Sequence, residues 1–277
     1  MEFELEILRA IQSISNGFLD ILFEGISFLA EKYFIMVLLM LIYWVIDKKF
    51  GEYLAYSVLT GMTLNNGLKS LFDMPRPIGE EGIRTLREET ATGQSFPSGH
   101  SQASASLSWS IAGYIKKRWM YIVAIIYPIL VAFSRMYLGV HYPKDVVVGV
   151  IEGIAVSYLC LWLFNKVKNR LVLYCVTLAA LLPFCFAGMN DDFVKACGMY
   201  LGFIVAVFID KKFINYDIKV RYSMRFLRFG LGLAVMAATY GLLKLIMPDA
   251  LFFDGLRYFL LIVIVLGCFP ITFKWLK

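Results

Sequence analysis

The sequence predicts an all-α polytopic membrane protein of about nine transmembrane helices, and three observations predict it. Of 277 residues, 60% are hydrophobic and the mean hydropathy is +0.70, too apolar for a soluble domain of this size. The apolar residues gather into runs close to the length that crosses a hydrocarbon core of about 30 Å at about 1.5 Å per residue. Lys and Arg are sorted between alternate loops, which is a topology signal.

The first unit is residues 1–27. Phe3, Ile7, Leu8 and Ile11 recur at helical spacing among acids, which predicts an amphipathic helix on the membrane surface, a cytosolic contact helix being the alternative. The acidic start lacks the basic n-region and cleavage site of a signal peptide, so the chain is expected to be mature. Spans follow at about 28–46, 53–72, 98–115, 120–140, 146–164, 171–187, 195–209, 229–247 and 257–273. A division into 28–168 and a C-terminal extension, 169–277, is expected, the extension supplying four spans.

The loops 47–52, 116–118, 165–170 and 210–228, with the tail 274–277, hold sixteen Lys/Arg, whereas the opposite set holds eight and is rich in acids such as Glu80, Glu81, Asp191 and Asp192. Positive-inside bias therefore predicts the N-terminus outside and the C-terminus in the cytoplasm. The formal charge of +6 is explained by those loops, so no nucleic-acid partner is expected. The outside loop 73–96, with Gly79, Gly82 and Gly93, reads as either a mobile flap or an ordinary solvated loop. Cys160, Cys175, Cys185, Cys197 and Cys268 lie in or beside apolar runs without metal-ligand spacing and are expected as free thiols.

Three polar clusters sit where spans meet the outside surface. Lys69 and Arg76-Pro77 close the second span, Pro97-Ser98-Gly99-His100 opens the third, and Ser134-Arg135 with His141 and Asp145 joins the fourth to the fifth. Two crossings separate the last two clusters, so all three return to one face. Three cations near lipid are costly unless they share an anion, and arginine offers a planar fork to phosphate oxygens. Ser98 suits an N-cap and Gly99 permits close backbone approach, so amides of that helix start would donate to the same phosphate.

A neutral imidazole attacks phosphorus if one nitrogen is free and the other donates to a carboxylate. His141, four residues before Asp145, suits that task, and Pro143 suits the first turn of the intervening helix start. His100, the other histidine of the chain, would protonate the leaving oxygen. Glu152 is expected either at the floor of the site or in an interhelical hydrogen bond, and Asn65 and Asn66 either orient Lys69 or join helices. Phe96, Tyr137 and Tyr142 read as the lining of a lipid entrance or as an aromatic belt.

At these residues the sequence resembles the type 2 phosphatidic acid phosphatase superfamily, membrane lipid phosphatases related to glucose-6-phosphatase and the vanadium haloperoxidases. That family's pattern is Lys, six residues, Arg-Pro; Pro-Ser-Gly-His; and Ser-Arg, five residues, His, three residues, Asp. Lys69–Pro77, Pro97–His100 and Ser134–Asp145 match it without a departure. The resemblance implies a metal-independent phosphatase without cofactor, working through a phosphohistidine. It makes His141 the nucleophile, Asp145 its orienting partner and His100 the general acid and later base, with Lys69, Arg76, Ser98, Gly99 and Arg135 on the phosphate. Nine spans with the N-terminus outside is also similar to the glucose-6-phosphatase and sphingosine-phosphate phosphatase arrangement. The extension carries no motif, and a lipid-facing wall, a homodimer interface and a substrate-entry gate all fit it.

The expectation is an integral-membrane phosphatase acting at the external face on a membrane lipid phosphate: polyprenyl diphosphate, phosphatidylglycerophosphate, phosphatidate, sphingosine phosphate or a lipid A type. Phosphotransfer to another lipid through the same intermediate, and a non-catalytic lipid-binding protein or transporter, are the alternatives. The expected location is a bacterial cytoplasmic membrane, an endoplasmic reticulum membrane with a lumenal site having the same topology.

Overall fold

The computed structural model describes residues 2–276. They form helices α1 (Glu2–Gln12), α2 (Gly17–Phe28), α3 (Lys32–Ile46), α4 (Lys48–Phe72), α5 (Gly99–Ile115), α6 (Arg118–Tyr137), α7 (Pro143–Lys166), α8 (Arg170–Ala187), α9 (Asp191–Ile214), α10 (Tyr222–Ile246) and α11 (Leu251–Lys274). No strand occurs among the described residues.

Helices α3 to α11 fall on the nine expected stretches, yet the count of nine spans is not confirmed. Six, α6 to α11, are long and apolar enough to cross a membrane; α2 and α3 together make a seventh, bent by 52°. The two that fall short, α4 and α5, have a physical reason to be polar. Most of α4 is buried in protein, including Ser57, Thr60, Thr63, Asn65 and Lys69, and α5 buries Ser101, Gln102, Ser104, Ser106, Ser108 and Ser110. A helix that faces other helices rather than lipid can hold side chains that hydrogen-bond its neighbours, as Ser57 does with Ser110 at 2.8 Å.

α4 is the central post. It packs on α5 and α7 to one side and on α8 and α9 to the other, while α9 pairs extensively with α11. α5 and α7 cross tightly. A Cβ on Gly149 would lie 2.5 Å from the Ser98 carbonyl oxygen, and one on Gly153 2.4 Å from that of Gln102. This G-x-x-x-G pair brings the two backbones together and fixes the start of α5 over the start of α7.

At the opposite end of α4 the extension is tied on by charge. Lys48 meets Asp210 at 2.6 Å and Glu52 meets Lys211 at 2.7 Å. Arg228, nearly fully buried, donates to the carbonyls of Asp217, Phe273 and Leu276.

α1 packs its apolar side on protein: Leu5 and Leu8 are buried against Ile83, Met136 and Tyr142. The flap reading of 73–96 gives way to a pinned loop. Arg9 holds the Glu81 carbonyl and Gln12 the carbonyls of Arg84 and Tyr137, while Leu86 N–H donates to the Leu138 carbonyl and Thr92 to Asp192. All five cysteines are free.

Candidate active site

The three clusters meet at one end of the bundle. Lys69 lies in the last turn of α4, Arg76 in the loop after it, Ser98 at the N-cap of α5 with Gly99 and His100 in its first turn, Arg135 in the last turn of α6, His141 in the turn before α7, and Asp145 in the first turn of α7. Each position follows from local chemistry. Ser98 Oγ accepts from the Ser101 amide, Pro143 opens α7, and the Ser98 amide donates to the Asp145 carbonyl at 2.9 Å, joining two of the clusters through backbone.

Lys69, Arg76, Gly99, His100 and His141 line a common cavity of about 440 Å³. Asp145, Ser98 and Arg135 are fully buried behind it. Arg76 Nη1 is 3.0 Å from His141 Nε2. Because a guanidinium only donates, Nε2 is the accepting nitrogen and the ring proton sits on Nδ1. Nδ1 in turn is 3.4 Å from Asp145 Oδ2. Burial first, then the charges of Arg76, Lys69 and Arg135, hold the His141 imidazole well below its ordinary pKa. The ring is therefore neutral, with a lone pair directed at the cationic side of the cavity.

The cations are held by backbone. Arg76 donates to the carbonyls of Thr92, Gly93, Gln94 and Val140; burial pushes it down to about 10, so it remains charged at neutral pH. Lys69 Nζ donates to the Gln94 carbonyl at 2.5 Å. Arg135 spends one nitrogen on Ser27 Oγ (2.7 Å) and Thr90 Oγ1 (3.1 Å), while its Nε and Nη2 have no partner. His100 Nε2 is likewise buried and unpartnered. Buried polar atoms without partners are costly, and an anion bound beside them would supply an acceptor to the Arg135 donors.

The sequence reading missed Ser95. It is fully buried; its hydroxyl donates to Asp145 Oδ2 at 2.5 Å and lies 3.4 Å from His141 Nδ1. Only its position two residues before Pro97 hinted at a role. Also missed were Asp192 and Lys195 of α9, which line the cavity from the extension. Glu152 makes the interhelical bond, accepting from Asn65 Nδ2 at 2.8 Å. Tyr137 and Tyr142 are buried rather than at an entrance; Tyr137 donates to Asp20 at 2.6 Å. Among the described residues no cluster of His, Cys, Asp and Glu has the arrangement to hold a metal ion.

Comparison with known proteins gives a consistent result. The family described as the PAP2 superfamily matches residues 50–169, and the PAP2 superfamily phosphatase transmembrane extension matches residues 194–277. Phosphatidylglycerophosphatase B of Bacillus subtilis (strain 168) is 30% identical over 176 residues, 59% of this chain and 84% of that one. An undecaprenyl-diphosphatase of Sulfolobus acidocaldarius is 29% identical over 158 residues, 57% of this chain and 76% of that one. The crystal structure of a transmembrane PAP2 type phosphatidylglycerolphosphate phosphatase from Bacillus subtilis superposes with a TM-score of 0.52 at 28% identity, covering 61% of this chain and 87% of that chain.

Proposed function

The chain belongs to the PAP2 superfamily, and from that premise we propose that this integral membrane phosphatase hydrolyses a lipid phosphate through a phosphohistidine formed on His141. The observation that carries the proposal is the disposition of His141, with Nε2 turned to Arg76 in the cavity and Nδ1 turned to Asp145.

A phosphate entering the cavity takes the donors of Arg76, Lys69 and Arg135 and the amides at the start of α5, which also stabilise charge in the transition state. His141 Nε2 forms a bond to phosphorus as the ester P–O bond breaks, and His100, which takes up a proton from solvent as the phosphate charge enters beside it, gives that proton to the leaving oxygen. The Nδ1 proton stays on His141 against Asp145, which steadies the positive ring. Neutral His100 then takes a proton from water as the water oxygen attacks phosphorus. The P–N bond breaks and inorganic phosphate leaves.

The names of the relatives support phosphatidylglycerophosphate and undecaprenyl diphosphate among the candidate substrates. The basic residues gathered in alternate loops support an external site with the C-terminus in the cytoplasm.

The test is phosphate release from a panel of lipid phosphates in detergent with chelator present. Release by wild type that His141→Ala abolishes is expected. Release that needs added metal, or that His141→Ala retains, overturns the assignment.

A further inference from the structure

The cavity does not stop at the phosphate site. From Lys69 it continues along one face of α4 through Met62, Val58 and Ala55 to Gly51. These residues recur at helical spacing, so they form one stripe whose ends are eighteen residues apart, or about 27 Å at about 1.5 Å per residue. That is close to the thickness of a hydrocarbon core, about 30 Å. The facing wall comes from the extension. α9 contributes Lys195, Met199, Phe203 and Val207 in the same periodicity, and α11 contributes Tyr258, Leu261 and Val265. α3 closes the remaining side with Met36, Leu39 and Tyr43. Below Lys69 and Lys195 these wall residues carry no charge.

We propose that this passage is a tunnel for hydrocarbon of the lipid phosphate, and that walling it is what the C-terminal extension does. The proposal rests on the phosphatase reading of the site and names the part of the substrate that the motifs do not touch. The tunnel begins at Lys69 and follows α4 away from the site, as the tail of a lipid extends from its headgroup. α9 and α11 line the side opposite the stripe on α4, where lipid would otherwise meet it.

The tunnel is a ruler with readable marks. Met62 is seven residues from Lys69, about 10 Å down, and Ala55 is fourteen residues down, about 21 Å. An extended chain gains about 1.2 Å per bond, so a dodecyl chain passes Met62 without reaching Ala55, and an octadecyl chain reaches both.

The experiment measures kcat/KM for hexyl, dodecyl and octadecyl phosphate with wild type, Met62→Trp and Ala55→Phe. The ratio of variant to wild type cancels partitioning of each substrate into the micelle. Expected is a fall of tenfold or more for octadecyl phosphate alone in Ala55→Phe, and for both dodecyl and octadecyl phosphate in Met62→Trp, with hexyl phosphate within threefold of wild type in each. Val265→Phe on the facing wall repeats the deep block should Ala55→Phe not fold. Ratios that do not depend on chain length, with hexyl phosphate still hydrolysed, overturn the tunnel alone. If wild type hydrolyses none of the three phosphates, or His141→Ala hydrolyses them equally well, the phosphatase reading of the site fails instead.

Discussion

Replacing Ser95 with alanine removes one of three donors from the carboxylate that faces His141. Asp145 Oδ2 receives the Ser95 hydroxyl at 2.5 Å, the Tyr142 amide at 2.9 Å and His141 Nδ1 at 3.4 Å, while its Oδ1 has no partner. The Ser95 bond is the shortest and goes to an ionisable group, so its deletion costs about 1.5–3 kcal/mol. At about 1.4 kcal/mol per tenfold in rate, the full amount appearing in the barrier lowers kcat by about 10- to 150-fold. KM changes less, because Ser95 stands behind His141 and does not line the cavity. Ser95 is thus a positioning residue, and Ser95→Thr, which keeps the hydroxyl, should recover most of the rate. Initial rates of phosphate release, with thermal unfolding measured in parallel, separate the effect from loss of fold. A Ser95→Ala enzyme within twofold of wild-type kcat, or one no worse than Ser95→Thr, would refute the reasoning.

Three further outcomes are expected. Asp145→Asn keeps the shape but presents an amide to three donors, so kcat should fall by about a thousandfold or more, the scale for a carboxylate that holds a catalytic histidine's tautomer; a loss under tenfold contradicts it. Gly149→Ala places a methyl 2.5 Å from the Ser98 carbonyl oxygen, which should cost about 1–3 kcal/mol by overpacking and also lower activity by displacing Ser98–His100; unchanged unfolding and activity would count against the tight crossing. The third concerns pH. His141 titrates well below its ordinary value in the folded protein, through burial and then Arg76, Lys69 and Arg135, so as pH falls the unfolded chain takes up the proton first. The stabilisation is complete above about 6.5 and is lost downward from there towards the folded value, by at most about 1.4 kcal/mol per pH unit. The melting temperature of wild type should fall more steeply than that of His141→Gln across mildly acidic pH, and parallel curves would contradict this.

Much of the site was legible because its parts are chemically extreme. Cations, two histidines and a carboxylate at the ends of apolar spans are costly unless they share a ligand, and the alternation of the spans returns them to one face. The helices themselves were legible from length and apolarity, but hydropathy misjudges a helix that faces protein. α4 and α5 hold Asn65, Lys69, Gln102 and a row of serines because their neighbours, not lipid, receive them. Ser95 was invisible because a lone serine in a loop carries no periodicity; only the fold brings it to Asp145, fifty residues on. The pinning of loop 73–96 depends on backbone carbonyls meeting Arg9, Gln12 and Arg76, and carbonyls are the same in every sequence. The wall that α9 and α11 place against α4 was unreadable for a similar reason, since an apolar stripe facing a cavity has the same composition as one facing lipid.

The most direct test of the central claim is to quench the enzyme during turnover of a lipid phosphate under alkaline conditions, where a phosphorus–nitrogen bond survives, and map the phosphoryl group by mass spectrometry. The account predicts phosphate on His141, with neither the adduct nor phosphate release in His141→Ala. A phosphoryl group on any other residue, or phosphate release by His141→Ala at the wild-type rate, would contradict it.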